Sequence, residues 1–204
     1  MEMSLSLRKA RRERGFSLIE TIVAIGVLSV GLMSMAALMA RMMSTTYRSG
    51  FMSMAMQLAS EKLEDLNRYP TEDPNVAVTS GSTAGSLTSD VVSTVTSGGE
   101  TASVNYHDEV QLSATGGAVS EMETAVDGTT GDTVYTTISH SPDGTVASSV
   151  STTAPSGVGM VRFKRRWVIE EDQPTTGVRR VTVLVTLENP VNTPVNAQMS
   201  MVRP

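Results

Sequence analysis

No residue between Thr21 and Ala40 carries a charge, and that run constrains the chain more than any other feature. A helix of about 20 residues rises ~30 Å, roughly the hydrocarbon thickness of a bilayer. Leucine, methionine, alanine, valine and isoleucine dominate the run, and one helix bonds all its backbone groups internally, which is the condition for lying in lipid. Glu20 sits at its edge. In front of it, Met1 to Gly15 holds Arg8, Lys9, Arg11, Arg12 and Arg14 against Glu2 and Glu13. Five basic against two acidic residues make that segment +3, so the overall charge of −5 leaves −8 on the rest of the 204-residue chain. A basic start before an apolar run predicts a cytoplasmic N-terminus, and an acidic body does not favour nucleic acid as a partner.

Helical character continues past Arg41. Tyr47, Phe51, Met54 and Leu58 fall three and four apart, with Leu63 and Leu66 extending a similar face, so an amphipathic stripe is expected there. Glu61, Lys62, Glu64 and Asp65 suit a solvated outer face, and Pro70 after Tyr69 is a natural stop. From Phe16 to Tyr69 such a helix would measure ~80 Å. Gly50 is its weak point, at a cost of about 1 kcal/mol relative to alanine.

The remainder reads as β-structure. Val76 to Gly159 is rich in Ser, Thr and Gly with little periodicity, and reads as a loop-rich insertion. Within it, Val104 to Leu112 and Thr133 to Ser139 are candidate strands, and Gly98-Gly99, Gly116-Gly117 and Asp143-Gly144 are candidate turns. Further on, Val161, Phe163, Trp167 and Ile169 share one parity, as do Val181, Val183, Val185 and Leu187, while Arg162, Lys164, Arg166, Thr182 and Thr186 take the other. Two half-buried strands joined through Glu170 to Gly177 follow from this, and Val195, Ala197, Met199 and Met201 predict a third. Their apolar face is the expected cover for the helix stripe.

The string Arg14-Gly15-Phe16-Ser17-Leu18-Ile19-Glu20 resembles the type IV prepilin cleavage motif: a basic leader ending in Gly, then Phe, an apolar stretch and a Glu five residues on. The resemblance implies that a membrane-embedded prepilin peptidase cuts between Gly15 and Phe16 and N-methylates Phe16. It further implies that the retained helix becomes a filament core in which Glu20 acts in subunit assembly. A glycine leaves no side chain beside the scissile bond. A secretory signal would instead be cut after its apolar run, where Ser34-Met35-Ala36 is a partial match, and would discard the anchor. Ala55 to Glu64 also looks like the second half of the helix in PilV-like minor pilins and type II secretion minor pseudopilins, and Arg166-Trp167-Val168-Ile169 looks like their C-terminal sheet. Major pilins commonly carry a proline where Ala37 stands and a C-terminal disulfide, which a chain without cysteine cannot form. Both departures point to a minor subunit.

Other chemistry finds little support. His107 and His140 have no metal-binding spacing and read as surface residues. No Gly-x-Ser-x-Gly elbow surrounds a serine. Asp127 to Asp132 lacks the EF-hand order and reads as a turn. The expectation is therefore an α+β, pilin-like fold with a long N-terminal helix packed on an antiparallel sheet, and no catalytic residues, metal or cofactor. The expected divisions are a leader over 1–15, a membrane or filament-core helix over 16–40, its amphipathic continuation over 41–69 and a β-rich head over 70–204, itself divided at 76–159 and 160–204. The expected partners are the prepilin peptidase, a major pilin, other minor pilins and the inner-membrane assembly platform. Such a subunit would prime or modify a type IV pilus or pseudopilus. It would start as a single-pass inner-membrane precursor and end in the pilus, at the cell surface or in the periplasm. A tip-located adhesive or substrate-binding module is the alternative.

Overall fold

The computed structural model describes residues 17–113, 119–154, 160–188 and 194–204. Gly15, Phe16 and the Gly116-Gly117 turn lie outside the described residues. Among the described residues one helix, α1 (Leu18–Arg68), is followed by ten strands: β1 (Thr83–Gly85), β2 (Val92–Ser97), β3 (Glu100–Asn105), β4 (His107–Ser113), β5 (Val119–Val126), β6 (Thr133–His140), β7 (Val146–Ser151), β8 (Met160–Glu171), β9 (Arg179–Leu187) and β10 (Asn196–Arg203). A long helix with an antiparallel sheet is the α+β, pilin-like class expected from the sequence. The helix passes through Gly50 without a break and stops two residues before Pro70.

The chain divides into two compact units, one ending at Thr46 and one running from Tyr47 to Pro204. In the second, the main sheet has the order β10-β9-β8-β4-β5-β6-β7, with β1 also paired to β8 and β2-β3 forming a separate hairpin. All pairings are antiparallel. The β8-β9-β10 meander sits where the alternation placed it, with Trp167 opposite Val183 and Val183 opposite Met199. Phe163, Trp167, Ile169, Val181, Val183 and Val185 are buried together with Ala55, Leu58, Ala59, Leu63 and Leu66 of α1.

The helix stripe differs in detail from the expected one. Tyr47 and Met54 are exposed, and the covered line runs through Ala55, Leu58, Ala59, Leu63 and Leu66, with Phe51 and Met52 half-buried. Alanines with no exposed surface at 55 and 59 let the helix backbone lie close to the sheet, where larger side chains at those positions would hold it off. Phe51 leans on Phe163 with ring centroids 6.5 Å apart at a tilted angle, a favourable aromatic geometry.

The Ser/Thr-rich stretch is a second correction. Instead of a loop-rich insertion, it holds seven strands, β1 to β7. Small polar residues dominate most of these strands, so apolar alternation is confined largely to Val104, Tyr106, Val110 and Leu112, yet threonine and valine suit extended backbone. The candidate strand from Val104 to Leu112 is divided at Tyr106, where the chain leaves the hairpin for the main sheet: the Tyr106 amide donates to the Val91 carbonyl, and its carbonyl accepts from the Trp167 amide. The Gly98-Gly99 turn joins β2 to β3 with both residues at positive φ (59° and 85°), as a two-residue hairpin loop requires.

Candidate functional site

In the first unit no described residue covers the apolar helix. Leu18, Ile19, Ile22, Val23, Ile25, Val27, Leu28 and Val30 are all more than half exposed, as are the large apolar residues from Leu32 to Tyr47. Covering each such side chain would contribute about 1.5–3 kcal/mol. The helix is long and apolar enough to cross a membrane. Within its uncharged run the polar side chains are already satisfied: the hydroxyls of Thr21, Ser29 and Ser34 donate to the carbonyls of Ser17, Ile25 and Val30, four residues back. Every hydroxyl between Thr21 and Ala40 is thus bonded within the helix, which removes the cost of placing it in hydrocarbon.

Glu20 lies exposed in the first turn of α1, and its amide donates to the Ser17 carbonyl at 3.0 Å. A carboxylate there faces the positive end of the helix dipole. Phe16 lies one turn upstream by sequence but outside the described residues, so the expected cleavage and methylation site has no geometry to describe.

In the second unit the helix is fastened to the sheet by charge as well as by packing. Lys62 was expected on the solvated face; instead it is buried, with Nζ 3.1 Å from Asp108 Oδ2 and 4.3 Å over the Trp167 ring centroid. Its neighbours Glu61, Glu64 and Asp65 are exposed, as expected. Arg165, on the buried face of β8, holds Asp108 through Nε at 2.6 Å and Nη2 at 2.7 Å, and Nη2 also reaches Glu121 at 2.9 Å. Burial alone would raise the Asp108 carboxyl, but the charges and hydrogen bonds of Lys62 and Arg165 outweigh it and hold the acid below its ordinary range. Burial likewise opposes the Arg165 charge, and Asp108 and Glu121 more than compensate, raising its pKa. The cluster draws on four elements, so only one placement of the helix on the sheet satisfies it. The available signal in the sequence was Arg165 itself, a charge at a position whose parity it shares with Phe163 and Trp167.

A second arginine ends the helix. Arg203, the last residue of β10, donates to the Leu66 carbonyl at 3.3 Å and the Tyr69 carbonyl at 3.0 Å, so the sheet supplies the cation that suits a helix C-terminus. On the opposite sheet face, Asp90 joins Lys164 and Arg166.

Elsewhere the chemistry is sparse. Among the described residues no group of three or more His, Cys, Asp and Glu is placed to hold a metal ion. His140 is exposed, whereas His107 is half-buried on β4, a correction to the surface reading. Asp127 accepts the amides of Thr129 and Thr130 and so closes the β5-β6 turn with its own carboxylate.

The prokaryotic N-terminal methylation motif matches residues 10–36, which span Arg11, Arg12, Arg14, Gly15, Phe16, Glu20 and much of the apolar run. No curated protein and no solved structure matches the chain. The motif followed by a bare apolar helix and an antiparallel sheet supports a type IV prepilin-like protein with a transmembrane helix.

Proposed function

We propose that the chain is a minor subunit of a type IV pilus or of a secretion pseudopilus, and that its work is assembly. The observation that carries this reading is the methylation motif over residues 10–36, which takes in the start of a helix whose large apolar side chains are exposed from Leu18 to Tyr47. A prepilin peptidase cuts after Gly15 and methylates Phe16. The precursor rests in the inner membrane with its N-terminus cytoplasmic, and the helix then leaves lipid for a filament of major and minor pilins. Absence of a proline at Ala37 and of cysteine favours a minor over a major subunit by resemblance. Glu20 pairs with the freed amine of Phe16, since either charge left alone in an apolar core is costly.

Intact mass measurement tests the reading. The chain from cells that contain the peptidase begins at Phe16 with one added methyl group, and Gly15→Val accumulates precursor. A chain that begins after Ala36, or at Met1, overturns it. Immunoblots of sheared filaments against membranes test Glu20: Glu20→Ala and Glu20→Gln are cleaved normally but depleted from filaments.

A further inference from the structure

Among the described residues no strand pairs with the outer side of either edge of the main sheet, and the two edges match each other. β7 is exposed at all six positions, and no described residue pairs with its outer side. It contains only Val, Ala and Ser, and its one-to-one register with β6 has no bulge. β10 is the other edge; its one charge, Arg203, is engaged with the end of α1. Charges, prolines and bulges are the devices that keep strand edges apart, and the described residues of β7 and β10 turn none of them against a neighbour.

Strand direction and side-chain pattern narrow the occupant. Seven strands joined by six antiparallel pairings put β7 and β10 in the same direction. A second copy set beside the first in the same orientation therefore offers its β10 parallel to β7. Tracing registers across the sheet places Val146, Ser148 and Val150 on the face that carries Phe163 and Val183, and Ala197, Met199 and Met201 lie on that same face. Ala147, Ser149 and Ser151 share the opposite face with Gln198, Ser200 and Val202. Joined with faces aligned and Ser149 opposite Ser200, Val146 meets Ala197, Ser148 meets Met199 and Val150 meets Met201, while on the other face Ala147 meets Gln198 and Ser151 meets Val202. A slip by one residue would set each valine beside the mostly polar set.

We infer that β7 of one copy pairs in parallel with β10 of a second copy of this chain, continuing the sheet from subunit to subunit. The interface is head-to-tail, so it propagates instead of closing on a dimer. The inference rests on the subunit reading in one respect: copies anchored by the same end in one membrane share the orientation that a parallel ladder needs.

The natural chain has no cysteine, so introduced thiols report only designed contacts. Ser149→Cys and Ser200→Cys would be made singly and together in the full chain, in membranes, and treated with a short bis-maleimide. Gln198→Cys serves as the alternative partner for a two-residue offset. The double variant gives a ladder of dimers and higher species, and the two singles produced together give dimers only. Each single alone yields at least tenfold less. Strong dimers from Ser149→Cys alone would show antiparallel β7-β7 pairing and overturn the proposal, as would no cross-link with either partner position. Adding Val150→Lys, at a site that is 68% exposed, lowers the ladder at least tenfold without changing protease resistance; an undiminished ladder with that lysine also overturns it. A chain that is processed at Phe16 and enters filaments but never cross-links loses only the strand pairing. Cross-linking in membranes without processing would keep the pairing and remove the subunit reading.

Discussion

Two halves of one helix meet opposite fates. From Thr21 to Ala40 the helix is uncharged, and up to Thr46 no described residue covers it, whereas from Tyr47 to Arg68 it carries a narrow stripe that the sheet buries. Backbone geometry is the same in both. The difference teaches that helix continuity says nothing about the medium: the first half needs a partner of low polarity from outside the chain, and the second finds its partner in the chain's own sheet. The buried Lys62–Asp108–Arg165 cluster belongs only to the second half, where water is excluded by protein and both signs of charge are present.

The comparison breaks hardest at Asp108. Asp108→Asn leaves Lys62 and Arg165 buried without their shared carboxylate, and the second unit loses about 3–5 kcal/mol, read from urea unfolding. Replacing Lys62, Asp108 and Arg165 together by apolar residues of similar volume costs less than that single change. The same carboxylate sets an acid limit. Its folded pKa is depressed, so its stabilisation is fully present above the unfolded value of about 4 and is lost as pH falls through the folded value. Melting temperature measured down the pH scale falls below about pH 4 in the natural chain and less steeply in Asp108→Asn.

Leu28→Arg probes the other half. A charge near the centre of the apolar run costs about 2.5–3.5 kcal/mol on insertion scales, so the variant is depleted from membranes. Unfolding of the second unit is unchanged. An equal loss in both measurements would mean that the two halves are not separable in this way.

Gly85 sharpens the picture within the sheet. It has φ +82°, and a Cβ built there would lie 2.3 Å from the Trp167 carbonyl oxygen and 2.8 Å from the Tyr106 ring. Gly85→Ala therefore destabilises the second unit by about 1–3 kcal/mol, seen as a lowered urea midpoint with unchanged slope. The smallest effect belongs to Arg203→Ala, which removes the cation from the helix C-terminus and costs about 1 kcal/mol by the same measurement.

Where the sequence was legible, one strong local signal had a single physical reading. The uncharged run after a basic segment specifies a helix for an apolar medium whatever else the chain does, and the parity of Val161 to Ile169 and Val181 to Leu187 specifies strands with one buried face. The methylation motif is local as well, which is why residues 10–36 are recognisable without the rest. What escaped the sequence depends on distant partners. Lys62 looks solvated beside Glu61 and Glu64, and only the approach of Asp108 from β4 and the Trp167 ring from β8 makes its burial favourable. Most strands of the Ser/Thr-rich segment lack an apolar face to announce them, so their pairing shows only when the whole sheet is assembled. The sequence by itself determined an apolar anchor and a buried meander, because those follow from patterns within about a dozen residues. Tertiary structure alone decided the helix register and the strand order, because ion pairs and sheet edges join residues remote in the chain.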